Sequence, residues 1–301
     1  MPRKRALILL NLSAGIGKAG TFTMDVIRKT VENGYEPVVY PIIPGKGLTA
    51  EKIIPDYEEN TDLILCSGGD GTLNHVIRAL MKMKVMPLLG YIPAGSTNDF
   101  AKGLGIPVDF EKALSMIFNG TQFRYDVGSL NGQYFNYIAA FGAFSKISYA
   151  TDQQLKNIFG HAAYILNAVL EFNEHIRYSC HIRVETDDGN EEGDYLFGAV
   201  CNTFSIGGFT LFKGTNVRLN DGKMELLLIR TPKNPAELQE ILNAFLTGTM
   251  DHPCITFKQV SGLRMTFDME IPWTLDGEFG GAHKEVSIIV HHQAVNIMRG
   301  L

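Results

Sequence analysis

What this chain lacks narrows its class before any motif is read. Nowhere do about 18 apolar residues run consecutively, so no segment has the length of a bilayer-spanning helix. The apolar stretch Ala6 to Leu10, behind the basic Arg3-Lys4-Arg5, runs straight into Asn11 and a glycine-rich segment. It is too short for a secretory h-region with its cleavage site and reads as a first β-strand. Cysteine is sparse: Cys66, Cys180, Cys201 and Cys254 form no CxxC pair and no metal-ligand spacing. A disulfide scaffold and a thiolate metal site are thereby excluded, and reduced, buried thiols in a reducing compartment are expected. Basic charge is not in excess, since 27 Lys and Arg face 32 Asp and Glu for a formal net charge of −5. No global positive field exists to hold nucleic acid or an anionic membrane, so any membrane contact is local and apolar. Internal repeats and low-complexity linkers are absent too.

What remains has the length of about two domains: 301 residues, 45% hydrophobic and 20% charged. Up to about residue 126, short apolar runs alternate with helical ones. Strands are expected at Ala6 to Asn11, Glu36 to Ile43, Asp62 to Cys66 and Pro87 to Ile92. Helices are expected at Phe22 to Glu32, Leu48 to Tyr57 and Thr72 to about Met83, with two more before Phe118. This βαβα order implies a parallel sheet covered on both faces. From about Asp126 the runs are strand-like, at Tyr134 to Ala139, Tyr178 to Glu185, Tyr195 to Cys201, Gly222 to Arg230, Ile255 to Phe257, Gly262 to Asp268 and Glu285 to Val290. One long helical stretch, roughly Asp152 to Glu174, interrupts them, and the acidic Glu185 to Asp194 reads as a solvated hairpin turn. The second half is expected to be mostly antiparallel β, a sandwich or a distorted barrel, abutting the first across a cleft.

The third strand runs into Ser67-Gly68-Gly69-Asp70-Gly71-Thr72, and a helix follows at once. Glycines let the backbone take φ > 0 and let a ligand lie against bare amides. The loop sits at the carboxyl end of a parallel strand and feeds a helix N-terminus, a ready anion site. Phosphate is the expected ligand. Asp70 beside a polyphosphate would be repelled by about 4 kcal/mol per charge pair at effective dielectric 20. It would then bridge through a divalent cation or polarise an attacking hydroxyl; on this loop alone, a tight strand-to-helix turn with Asp70 as a turn or cap residue stays equally open. The loop Gly15-Ile16-Gly17-Lys18-Ala19-Gly20 matches GxGxxG, but Tyr40-Pro41-Ile42-Ile43 offers no acid for a ribose, and no GK[ST] occurs. It reads as a second phosphate-facing loop. A third, Pro93-Ala94-Gly95-Ser96-Thr97-Asn98-Asp99-Phe100-Ala101-Lys102, leaves the fourth strand at the same sheet edge. Ser96 and Thr97 offer hydroxyls to an anion, and Thr97 or Asn98 could cap the next helix.

Together these residues resemble the diacylglycerol kinase catalytic family, over nearly the whole chain. The Gly68 to Thr72 signature is shared with NAD kinases, whereas its pairing with Pro93 to Ala101 at this spacing is highly specific. The resemblance implies an N-terminal α/β domain (1–126, joined by 291–301) that binds ATP and a β-rich, sandwich-like lipid-substrate domain (127–290), with the active site in the cleft between them. The last strand, about Gln293 to Arg299, would return to the first domain. Carried over residue by residue, Asn11, Leu12, Ser13, Ala14 and Gly15 would contact nucleotide. So would Gly68, Gly69, Asp70, Gly71, Thr72, Gly95, Ser96, Thr97 and Asn98. Leu275-Asp276-Gly277-Glu278 would supply Glu278 as catalytic base. Asp221-Gly222-Lys223 would hold Mg²⁺ through Asp221 and the carbonyls of Arg218 and Lys223, the ion linking to Asp70.

The family also implies transfer of the ATP γ-phosphoryl group to a lipid hydroxyl, diacylglycerol giving phosphatidic acid. The expected partners are ATP, a lipid at the inner membrane face, which a cytoplasmic protein reaches peripherally, and a second copy in a homodimer; nucleic acid is not one. Leu12, Ser96 and Lys102 replace the usual proline, threonine and arginine, and Phe212 to Val217 lacks the usual proline-containing pattern upstream of Asp221. The helix at Asp152 would face a core or form a lid or membrane-facing element near the lipid site, and Trp273 would pack a hinge or line the lipid entrance. His291 and His292, adjacent in a strand, face opposite ways and share no metal. Two other readings stay open: a soluble-nucleotide kinase of the NAD kinase kind, and a silent lipid- or nucleotide-binding protein on this fold.

Overall fold

A computed structural model describes residues 4–12, 14, 22–95, 98–142, 179–203, 217–247 and 252–300. The chain divides into two compact units, Met1–Tyr125 with Gln293–Leu301, and Asp126–His292. Asp126, His291 and His292 thus belong to the second.

The first unit is a parallel sheet. Strands β1 (Lys4–Asn11), β2 (Tyr35–Ile42), β3 (Leu63–Gly68) and β4 (Leu88–Pro93) run in the order β2-β1-β3-β4. The end of β13 (Glu278–Arg299) adds to β4, Ile297 opposite Leu89, also parallel. Ala6 to Leu10 and Leu63 to Cys66 are buried throughout, as a strand covered on both faces requires. Among the described residues β2 pairs only with β1, and it carries Pro37 and Pro41, which lack a donor and are tolerated at an edge. Helices α1 (Thr23–Glu32), α2 (Ala50–Ile53), α3 (Asp70–Leu80), α4 (Asp99–Gly103) and α5 (Phe110–Asn119) belong to this unit. The single helix expected from Leu48 to Tyr57 is instead α2 followed by a 3-10 segment, Ile54–Asn60. Pro55 removes an amide and crowds the preceding turn, so the α-helix stops before it.

All strand pairing within the second unit is antiparallel among the described residues. It involves β5 (Thr121–Leu130), β6 (Gln133–Phe135), β7 (Ile138–Gly142), β8 (Cys180–Thr186), β9 (Gly189–Cys201), β10 (Met224–Arg230), β11 (Ile255–Val260), β12 (Gly262–Leu275) and most of β13. β9 pairs its first half with β8 and its second with β7, and β12 does the same, so these strands close a ring. That closure favours the barrel-like expectation over the open sandwich. Phe141, Phe267 and Trp273 pack edge-to-face or tilted at 4.7 to 6.1 Å in the larger core cluster. Trp273 is fully buried there, so it packs in the core of this unit and does not line an entrance.

A second cluster on the other side of β10 takes Leu227 and Ile229, with Ile241 of helix α6 (Pro235–Thr247), an element the sequence reading did not anticipate. The acidic run is mostly ladder: His181 faces Asp194, Arg183 faces Glu192, and Thr186 closes on Gly189. Cross-strand opposite charges let an acidic segment stay in a strand. The four cysteines are free and buried. Among the described residues no helix is long and apolar enough to cross a membrane.

Candidate functional site, an amide-lined loop pair and an acidic turn

In the first unit, β3 ends at Gly68, Gly69 is extended, and α3 starts on Asp70. This leaves the first-turn amides of α3 without intrahelical partners. An acid in that turn suits the helix dipole. A side chain on Gly68 would stand 2.6 Å from Thr72 Cβ, so only glycine lets Thr72 fold back. Asn11 Nδ2 then donates to Thr72 Oγ1 at 2.7 Å, tying the end of β1 to the loop. The third loop comes equally close. A Cβ built on Gly95 would lie 2.8 Å from Gly69 Cα, and the Ala94 N–H donates to the Gly68 carbonyl at 2.8 Å. Asn98, at φ 50°, accepts from the Gly95 amide at 3.0 Å and donates to the Gly95 carbonyl at 2.8 Å. Asn98 does stand at the N-cap position of α4, as one reading expected, but its side chain makes no capping hydrogen bond there and instead clasps its own loop.

Asp70 is the chemically unusual group. One oxygen, Oδ2, accepts the Asp99 amide at 3.2 Å, while Oδ1 is buried with no hydrogen-bond partner among the described residues. Burial pushes its carboxyl above the usual range, the Asp99 charge adds to this, and the Asp99 and Phe100 amides and Lys102 oppose it. A buried oxygen without a donor is what a hard cation would complete. Leu12 is exposed, and Ala14 is described as part of a turn beyond β1. Ser13, Gly15, Ser96 and Thr97, the Gly15 to Gly20 loop and the stretch Asp152 to Glu174 lie outside the described residues.

Nearby, His75 Nδ1 on α3 meets Glu51 Oε1 on α2 at 2.5 Å. Burial raises the Glu51 carboxyl, but hydrogen bonds from His75, its own backbone and Thr49, with the His75 charge, bring it down to about 2. A carboxyl depressed on folding stabilises above its unfolded value, near 4.5, and loses that contribution as pH falls toward 2. Thermal melts should therefore show the wild-type midpoint falling more steeply than that of Glu51→Gln between about pH 5 and pH 3. Parallel slopes would remove the pair from the acid response.

The second unit holds the other expected residues. Asp221 is exposed in a turn, Leu219 to Gly222, just before β10. Buried Asp126 accepts the Gly222 amide at 2.7 Å through Oδ2 and gives its own amide to the Leu219 carbonyl at 2.8 Å. Asn202 Nδ2 donates to the Asp126 carbonyl at 2.8 Å, and His292 Nε2 meets the Asn220 carbonyl at 3.1 Å. The Leu219 and Asn220 carbonyls are thus committed, and Asp221 Oδ1 accepts the Lys223 amide at 3.1 Å. The donors around the turn are oxygens, the set a magnesium ion prefers. No group of three or more His, Cys, Asp or Glu side chains that could hold a metal exists among the described residues.

Glu225, fully buried, has its carboxyl pushed up to about 7 by burial, with Gln259 opposing and the Asp221 charge adding. Sequence reasoning missed both Asp126 and Glu225; an acid inside an apolar strand run was the available signal.

Asp276 and Gly277, at φ 53° and 87°, make the two-residue turn between β12 and β13, and Glu278 opens β13 opposite Leu275, exposed. Such left-handed pairs favour Asp-Gly. Asp276 faces inward, its oxygens accepting the amides of Asn136, Tyr137 and Ile138 at 2.8 to 3.0 Å. Of the two acids in that segment, Asp276 is tied to the fold, while Glu278 is exposed at the head of β13. His291 meets Ser129 Oγ at 2.9 Å, a different neighbour from that of His292.

With this geometry in hand, the likeness to known proteins is direct. The diacylglycerol kinase catalytic domain matches residues 5–130. A protein of Staphylococcus saprophyticus named "Diacylglycerol kinase" is 32% identical over 93% of this chain and 90% of its own. One of Staphylococcus aureus with the same name is 32% identical over 93% of this chain and 87% of its own. A Bacillus anthracis structure titled as a diacylglycerol kinase covers 100% of this chain and 98% of its own, with TM-score 0.75 and 19% identity. Another from that organism reaches TM-score 0.81 at 20% identity, covering 100% and 96%. The chain belongs to the diacylglycerol kinase family. As an enzyme it is a lipid kinase of the diacylglycerol kinase type.

Proposed function

We propose that the protein transfers the γ-phosphoryl group of ATP to the hydroxyl of diacylglycerol, giving phosphatidic acid and ADP. The observation that carries this reading is Asp70, a half-buried carboxylate whose buried Oδ1 has no hydrogen-bond partner among the described residues, placed at the start of α3 beside two closely packed glycine loops. Amides of Gly68 to Thr72 and of Asn11 to Gly15 receive the phosphates, assisted by Gly95, Ser96, Thr97 and Asn98. Glu278 accepts the proton of the lipid hydroxyl as its oxygen bonds to the γ-phosphorus and the bond to the β–γ bridging oxygen breaks. Asp70 orients the reacting groups. A magnesium ion held by Asp221 and the carbonyls of Arg218 and Lys223 would supply charge neutralisation for the phosphoryl oxygens. The protein acts peripherally at the cytoplasmic membrane face.

The test offers the purified chain radiolabelled ATP with diacylglycerol, phosphatidylglycerol, sphingosine or NAD. Label in phosphatidic acid is expected; label in NAD, or in nothing, overturns the reading. Gly95→Ala probes the loop pair. Its methyl would meet Gly69 Cα at 2.8 Å, a backbone atom that cannot swing aside. Overpacking of this kind costs about 1–3 kcal/mol, and spread between the loops it should weaken a fluorescent ATP analogue roughly tenfold in titrations. Unchanged binding would show that the loops need not touch.

A further inference from the structure

Tyr91 is fully buried in β4, a strand whose other side chains are apolar. A buried hydroxyl is costly unless it is hydrogen-bonded, and this one donates to the Gly68 carbonyl at 3.1 Å. The same oxygen accepts the Ala94 amide at 2.8 Å, so two donors from one strand end converge on a single carbonyl. The ring is held in turn by an edge contact to Phe100 at 6.3 Å, and Phe100 by one to Tyr125 at 5.4 Å. Burial, with the charges of Asp70 and Cys66, keeps the phenol far above its ordinary range, so it stays a protonated donor.

A trans peptide is planar, with its oxygen and its amide hydrogen on opposite sides. Pinning the Gly68 oxygen toward Tyr91 therefore aims the Gly69 N–H the other way. Neither Gly68 nor Gly69 has a side chain to fix that tilt, and glycine leaves the backbone free to rotate. We propose that Tyr91 is a positioning residue for nucleotide binding, its hydroxyl setting the tilt of the Gly68–Gly69 peptide and hence the direction of the first amide offered to the polyphosphate. The proposal rests on the reading that this loop takes the phosphates of ATP.

The test compares the full chain with Tyr91→Phe, which keeps the ring, and Tyr91→Leu, which loses both ring and hydroxyl. Titration gives the ATP Kd, steady-state assays give KM for ATP and for diacylglycerol with kcat, and melts report the fold. Loss of one neutral hydrogen bond should raise the ATP Kd and KM about three- to tenfold in Tyr91→Phe. The lipid KM and kcat should stay within about twofold, and the melting temperature within a few degrees. A Tyr91→Phe protein that binds ATP as the wild type does overturns the proposal. So does an effect confined to Tyr91→Leu, which would make the residue a packing element. Failure of the wild type to bind ATP overturns the reading of the loop along with it, and the wild-type titration alone tells these cases apart.

Discussion

Asp70→Asn is expected to lower lipid phosphorylation by about 10²–10⁴-fold while leaving the thermal midpoint at neutral pH unchanged or slightly raised. The two halves have one cause. Burial raises the folded carboxyl above its ordinary value of 3.8. A group raised in this way stabilises only below its unfolded value, and that stability fades as pH climbs through the folded one. At neutral pH the charge at Asp70 is therefore a cost to folding. An asparagine oxygen can still accept the Asp99 amide that Oδ2 now holds at 3.2 Å, so the neutral isostere keeps the loop and removes only the charge. Radiolabel transfer and differential scanning calorimetry on the same preparations decide it. Retained turnover would dissociate Asp70 from the chemistry, and a midpoint lowered by about ten degrees or more would make it a structural group.

Glu278→Gln should also cost about 10²–10⁴-fold in kcat, with stability changed by no more than about 0.5 kcal/mol. The side chain is exposed at the head of β13, next to a turn whose geometry depends on Asp276 and Gly277. Glutamine matches glutamate in shape but cannot take a proton from an alcohol at neutral pH. Asp276 has the opposite character. Its oxygens satisfy the amides of Asn136, Tyr137 and Ile138, so its loss acts on folding. Full-rate lipid phosphorylation by Glu278→Gln would remove the base assignment, and a strong drop in stability would show that Glu278 shares the work of Asp276.

Elements set by local rules were legible before any coordinates. The apolar run Ala6 to Asn11 and the strand-to-helix glycine turn at Gly68 to Thr72 are read from burial pattern and backbone freedom, which live in neighbouring residues. The departures came where distant partners decide. Glu185 to Asp194 reads as a turn by composition, yet His181 and Arg183 on the facing strand hold most of it in a ladder. Trp273, one strand-step from the candidate base segment, reads as a boundary residue until Phe141 and Phe267 arrive to bury it. Asn98 reads as a cap because its type favours caps, but a left-handed backbone turns its amide onto Gly95. Asp126 and Glu225 stood out only as single acids in apolar runs, a signal that marks a buried acid but not which amide or side chain awaits it.

The parallel sheet carrying the glycine loops is assembled from segments far apart in the sequence. Its first strands are encoded before residue 93, but the strand beside β4 is Gln293 onward, where Ile297 meets Leu89. A nascent chain can therefore display the loops long before it can finish the sheet that braces them. During synthesis β4 must wait with a bare edge while the second unit is made, so the sheet that braces the loops closes only once Gln293 onward has emerged.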